Sequence, residues 1–157
     1  MKLRWLVLFA THAAVLGVGF ALGIYALPIL VAPKTPDHAS LQIAMEGAVF
    51  KGRFERNLKG SDTFHWGEGD VSLMPDKIAH KGRLAPGPDY KLYLASEFVD
   101  TKEGFLKIKN QAVRVGDVKT FDSFLVDVPP GIDIATYNTV VIWCEAFSQF
   151  ITAAKYR

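Results

Sequence analysis

From Trp5 to Ala32 the chain carries no Asp, Glu, Lys or Arg. A helix of that run would be about 40 Å long against a hydrocarbon core of about 30 Å, so it can span a bilayer with some tilt. A cleaved secretion signal has an apolar region of only about 7–15 residues that ends in a small-x-small site. This run is longer, and its tail Leu30–Val31–Ala32 is followed by Pro33, an unfavourable place to cut. Residues 5–32 are therefore expected to be an uncleaved transmembrane signal anchor. Lys2 and Arg4 precede the span and favour a cytoplasmic amino terminus, residues 1–4. Lys34, just beyond the span, keeps the margin thin. The expected localisation is a single-pass membrane protein with its C-terminal domain outside the cytoplasm, periplasmic or extracellular.

Gly19-x-x-x-Gly23, with Gly17 beside it, is the small-residue pattern that lets a second helix approach closely, so the membrane and a homodimer through Gly19 and Gly23 are candidate partners. Tyr25 fits an interfacial anchor. Pro28, Pro33 and Pro36 then oppose helix, and residues 33–45 read as a linker.

Residues 46–157 are long enough for one domain. Short runs with strand patterning recur there, separated by Pro/Gly turns: Gly47–Phe54, Asp70–Met74 with Lys77–Leu84 as a hairpin, Tyr90–Leu94, Val113–Val118, Thr120–Val128 and Phe147–Tyr156. Thr101–Lys102–Glu103 ahead of Phe105, Leu106 and Ile108 predicts a helical turn over the edge of the domain. In Asn138–Phe147, Val140, Ile142 and Cys144 share one face and Val141 and Trp143 the other, which makes it a central strand. The expected fold class is all-β: an antiparallel β-sandwich or barrel preceded by one N-terminal transmembrane helix. With eleven Phe to bury, Phe121, Phe124, Phe147 and Phe150 are assigned to the core with Tyr90, Tyr93 and Trp143.

The 18 Lys+Arg against 16 Asp+Glu leave a net charge of +2, scattered rather than gathered, and so no nucleic-acid surface. One cysteine excludes an intrachain disulfide framework. There is no Gly-x-Ser-x-Gly elbow, phosphate-cradling Gly loop or His-Glu-x-x-His motif. The candidate for chemistry is Cys144. A strand interior and the adjacent Glu145 disfavour its thiolate, so a buried structural role stands beside a redox thiol, a soft ligand and an interchain bridge. A haem would be non-covalent, because no Cys-x-x-Cys-His is present, with His65, His80 or Met74 as further candidate ligands. Asp89, Asp117, Asp122, Asp127 and Asp133 sit at turns, where the side chain bonds nearby backbone.

Ala85–Pro86–Gly87–Pro88–Asp89–Tyr90–Lys91–Leu92–Tyr93–Leu94, Val113–Arg114–Val115–Gly116–Asp117, the strand ending in Pro129–Pro130–Gly131, and Tyr137–Asn138 to Phe147 with its Trp-Cys pair together resemble the DM-thirteen domain, the Skeletor-type family often called an electron-transfer domain. The resemblance covers roughly Gly47 to Arg157. It implies a small β-sandwich and a redox or electron-transfer role centred on the cysteine matching Cys144, as a bare thiol or as the ligand of a prosthetic group such as haem. Cys144, Trp143, His65 and His80 are the residues expected around that group. A redox partner or another envelope protein is the expected binding partner, and a non-catalytic protein-binding or structural module of the cell envelope is the alternative.

Overall fold

The computed structural model describes residues 2–157. The charge-poor run forms one helix, α1 (Lys2–Leu30), long and apolar enough to cross a membrane and burying none of its residues. Within it His12 Nδ1 lies 2.7 Å from the Leu8 carbonyl, a local bond that satisfies the ring.

The segment read as a linker contains a second helix, α2 (His38–Glu46). Asp37 caps it, its carboxylate accepting the Ser40 N–H at 2.9 Å, which satisfies one of the unpaired first-turn donors. Leu41 and Ala44, three apart and so on one face, are its buried residues. Ala44 packs with Met74 and Ala79, so α2 covers the outer face of a sheet.

The strands are β1 (Phe50–Phe54), β2 (Gly67–Leu73), β3 (Lys77–Leu84), β4 (Tyr90–Ala95), β5 (Val113–Val118), β6 (Ser123–Asp127), β7 (Thr139–Cys144) and β8 (Gln149–Lys155). They form two antiparallel four-stranded sheets in the orders β1-β2-β3-β6 and β5-β4-β7-β8. Helix makes up 31% of the chain, so the all-β expectation is only approximate. The expected hairpin is present, with Leu73 opposite Ile78.

The sheets share one core: Phe54, Leu73, Ile78 and Phe124 from the first meet Leu92, Val140, Ile142 and Ile151 from the second. At the two sides β1 approaches β8 and β5 approaches β6. Glycine makes both approaches tolerable. A Cβ on Gly52 would lie 2.8 Å from the Lys155 carbonyl oxygen, and one on Gly116 would lie 2.8 Å from a Val126 methyl. Gly52→Ala is therefore expected to lower unfolding free energy by about 1–3 kcal/mol, because backbone rather than a flexible side chain must give way. A urea titration that left the midpoint unchanged would refute this.

Strand β7 is interior to its sheet and every one of its residues is buried. Its two faces serve two cores. Val140, Ile142 and Cys144 face the other sheet, whereas Val141 and Trp143 face outward with Tyr93, Phe150 and Ala153. A short helix, α3 (Lys102–Ile108), closes that outer face with Phe105 and Ile108, so it lies across the sheet rather than over the domain edge. The alternating strand β4 has a second apolar face, on which Tyr93 demands cover, and α3 supplies it. Thr101 caps α3 by accepting the Gly104 N–H at 3.1 Å, a role that leaves Gly104 inside the first turn without breaking it.

Candidate functional site: a cavity at Cys144

Cys144 ends β7, opposite Tyr90 of β4 and Gln149 of β8. Register shifts at Leu92/Tyr93 of β4 and Ile142/Trp143 of β7 lie just before it in the sheet; such irregularities re-aim neighbouring side chains. The tight turn after Cys144 places Ser148 in the left-handed region, φ 48°, and Ser148 N–H donates to the Glu145 carbonyl at 3.2 Å. Cys144 is 2% exposed. Burial pushes its thiol pKa up, and hydrogen bonding from the backbones of Phe147 and Asp89 offsets this only in part. The group is a protonated thiol at neutral pH.

Cys144 lines an apolar cavity of about 510 Å³. The walls come from the loop before β2 (Phe64, His65), the loop before β4 (Pro86, Gly87, Pro88), Tyr90, the turn and start of β8 (Phe147, Gln149, Ile151), and from α1 (Ala21, Leu22, Ile24, Tyr25). Tyr90 is fixed there by its hydroxyl, which donates to the Ala85 carbonyl at 2.8 Å. His65 is held by Asp62: its Nδ1 lies 2.8 Å from the carboxylate, which also accepts the Phe64 and His65 backbone N–H groups at 2.7 and 2.9 Å. That leaves Nε2 as the other available polar atom of the ring.

The four side chains expected around a redox group do not converge. Cys144 and His65 line the cavity. His80 sits on β3 inside the shared core, between Phe54 at 5.1 Å and Phe124 at 5.0 Å, with Nδ1 3.1 Å from the Asp70 carbonyl. Its Nε2 has no hydrogen-bond partner among the described residues. Trp143 lies on the opposite face of β7 from Cys144, and Met74 is under α2. Phe147, assigned to the core by composition, is 55% exposed at the turn. Composition counts aromatic residues but says nothing of where a turn falls.

Among the described residues, no Lys or Arg lines the cavity. A thiolate-ligated haem needs an ionised Cys144 and a means of balancing its charge, whereas burial holds the thiol protonated. The cavity does not fit a haem ligated by the Cys144 thiolate.

On the other face, Glu145 accepts from Tyr93 Oη and from Lys109 Nζ at 2.7 Å. Burial pushes the Glu145 carboxyl up, but the ammonium and hydroxyl outweigh it and hold the pKa below its usual value. Lys109 Nζ also lies 5.5 Å from the Trp143 ring centroid, within cation–π range. The turn aspartates are similarly engaged: Asp89 and Asp117 both hold Lys91, at 2.6 and 3.0 Å, and Asp133 caps a 3-10 turn at Ile134–Thr136.

Two antiparallel sheets behind an apolar helix, with a lone thiol in the wall of a cavity between them and that helix, define the class: a small β-rich domain whose one sulfur lies in the wall of an apolar cavity. The chain belongs to the DM13 family, whose model, described as "Electron transfer DM13", matches residues 54–156. This agrees with the resemblance carried by the Trp143–Cys144 strand. Among curated proteins and solved structures nothing matches. Sequence reasoning missed the cavity partners Phe64, Phe147 and Gln149, for which the only local signal was their nearness in sequence to His65 and Cys144.

Proposed function

We propose that the protein is a membrane-anchored β-sandwich domain outside the cytoplasm with a redox or electron-transfer role centred on Cys144. In this reading α1 is the anchor and Cys144 is the redox thiol: a two-electron oxidant in the membrane or envelope takes it, with a water oxygen and release of two protons, to the sulfenic acid, and a two-electron, two-proton reductant returns it to thiol and water. His65, oriented by Asp62, is the polar neighbour in the same cavity. The supporting observation is that a member of an electron-transfer family places its single sulfur in the wall of a ligand-sized space. The test is an oxidative and reductive titration of the full chain in bilayers, followed by absorption and by the mass of the peptide bearing Cys144. A reversible change confined to that peptide and lost in Cys144→Ala is expected.

The burial of the thiol and its raised pKa favour a second reading, a non-catalytic binding or structural module of the envelope. There Cys144 fills space and loops such as Ala85–Asp89 meet a protein partner. If the thiol stays silent in that titration and reacts with a thiol reagent only after unfolding, this second reading replaces the first. A homodimer through Gly19 and Gly23, around which no side chain packs, belongs to either reading.

A further inference from the structure

The position of the cavity along α1 has a physical consequence. A hydrocarbon core of about 30 Å takes about 20 helical residues. Counted from Trp5, the first residue after the basic pair, the core ends at Ile24 for a helix along the bilayer normal, and tilt moves that boundary toward Ala32. The next residue is Tyr25, 46% exposed, an aromatic of the kind enriched at membrane–water interfaces. The α1 wall of the cavity is Ala21, Leu22, Ile24 and Tyr25, so it straddles the boundary between acyl chains and headgroups. Phe64, Pro86–Pro88 and Phe147 form the facing wall of the same cavity.

Two features hold it there. Pro28 and Val31–Pro33, at and after the end of α1, line a second pocket together with Gly87–Lys91, Asp117–Lys119 and Phe121, so no long tether separates helix from domain. Phe64 is 64% and Phe147 55% exposed; exposed aromatics on one loop end of a domain mark an interaction surface.

We propose that this cavity is a membrane-fed binding site that admits the hydrocarbon chain of a bilayer-dissolved molecule, acyl or isoprenoid, sideways between Phe64, Phe147 and α1. The chain reaches Tyr90 and Cys144 at the inner end. The polar groups of His65 and Gln149 give the cavity a place for a headgroup or ring oxygen, in the pattern of an apolar pocket with few polar groups. The sulfur thereby faces a ligand delivered by the membrane rather than by water. The inference rests on the reading of α1 as a membrane span, but not on Cys144 being redox-active.

The test reconstitutes the full chain in phosphatidylcholine vesicles containing a phosphatidylcholine with a photoreactive diazirine in its acyl chain, and maps the labelled residues by mass spectrometry. Labels on α1 and also on Tyr90 or Cys144 are expected, since these two line the cavity but keep only 3% and 2% of their surface exposed. Ala21→Trp, in the α1 wall of the cavity and outside the buried core of the domain, fills the cavity. It should cut the buried labels about fivefold while α1 labelling persists, a loss of ~1 kcal/mol of occupancy at about 1.4 kcal/mol per tenfold. Unlabelled isoprenoid alcohol separates the two sources: competition marks an isoprenoid chain, and its absence an acyl chain. Labels on α1 with none on Tyr90 or Cys144, or on Phe64 and Phe147 alone, overturn the cavity and leave the anchor standing. No label on α1 overturns both.

Discussion

Replacing Trp143 by Ala is expected to lower the unfolding free energy by about 3–5 kcal/mol, the range for truncating a large buried aromatic. Trp143 is the largest fully buried side chain and sits on the central strand β7. Its ring meets Phe105 of α3 at 5.1 Å and lies beneath Lys109. The substitution removes the platform on which α3 rests. A helix of seven residues has little stability of its own, so amide exchange across Lys102–Ile108 should accelerate together with the loss of global stability. A domain of this size has about 5–15 kcal/mol in total, so Trp143→Ala brings it near the threshold of folding. Cys144→Ala, one residue away on the other face, should lose only about 1–2 kcal/mol, because a small side chain leaves a small void. A urea titration in which Trp143→Ala lost under about 1 kcal/mol would show that α3 is not held by this contact.

The second large effect is acid sensitivity set by His80. The ring is fully buried between two phenylalanines, and burial lowers its pKa from 6.5 to about 4. The unfolded chain therefore binds a proton more readily than the folded one between about pH 6.5 and 4. Stability from the neutral ring is complete above about pH 6.5 and is lost as pH falls toward 4. The loss approaches a few kcal/mol, on the order of 1.4 per pKa unit. His80→Leu removes the titrating group and an Nε2 that has no partner among the described residues, so its stability should be flatter across the same window. Parallel pH profiles of the two proteins would remove His80 as the cause.

The chain's legibility differs between its parts for a physical reason. Side-chain alternation along a strand is a local property, so Val140–Cys144 declared a strand buried on both faces, and the structure places β7 inside its sheet under two separate cores. The hairpin around Pro75–Asp76 was legible for the same reason, as turn chemistry and alternation act over a few residues. The charge-free run determined a membrane-length helix. The family was likewise carried by the sequence, chiefly by the Trp143–Cys144 strand.

Other features depended on which strands become neighbours. Helix α2 hides behind three prolines and has only Leu41 and Ala44 to bury; it is placed by the outer face of the first sheet, which exists only once β2 and β3 have paired. That His65 rather than His80 lines the cavity with Cys144 follows from loops far apart in sequence meeting at one end of the domain. Phe147 turns outward because a tight turn falls there. Sequence alone therefore determined the strands, the apolar helix and the sulfur; tertiary structure alone decided what that sulfur faces, because proximity across two sheets is set by strand order and chain crossing, and neither has a period to read.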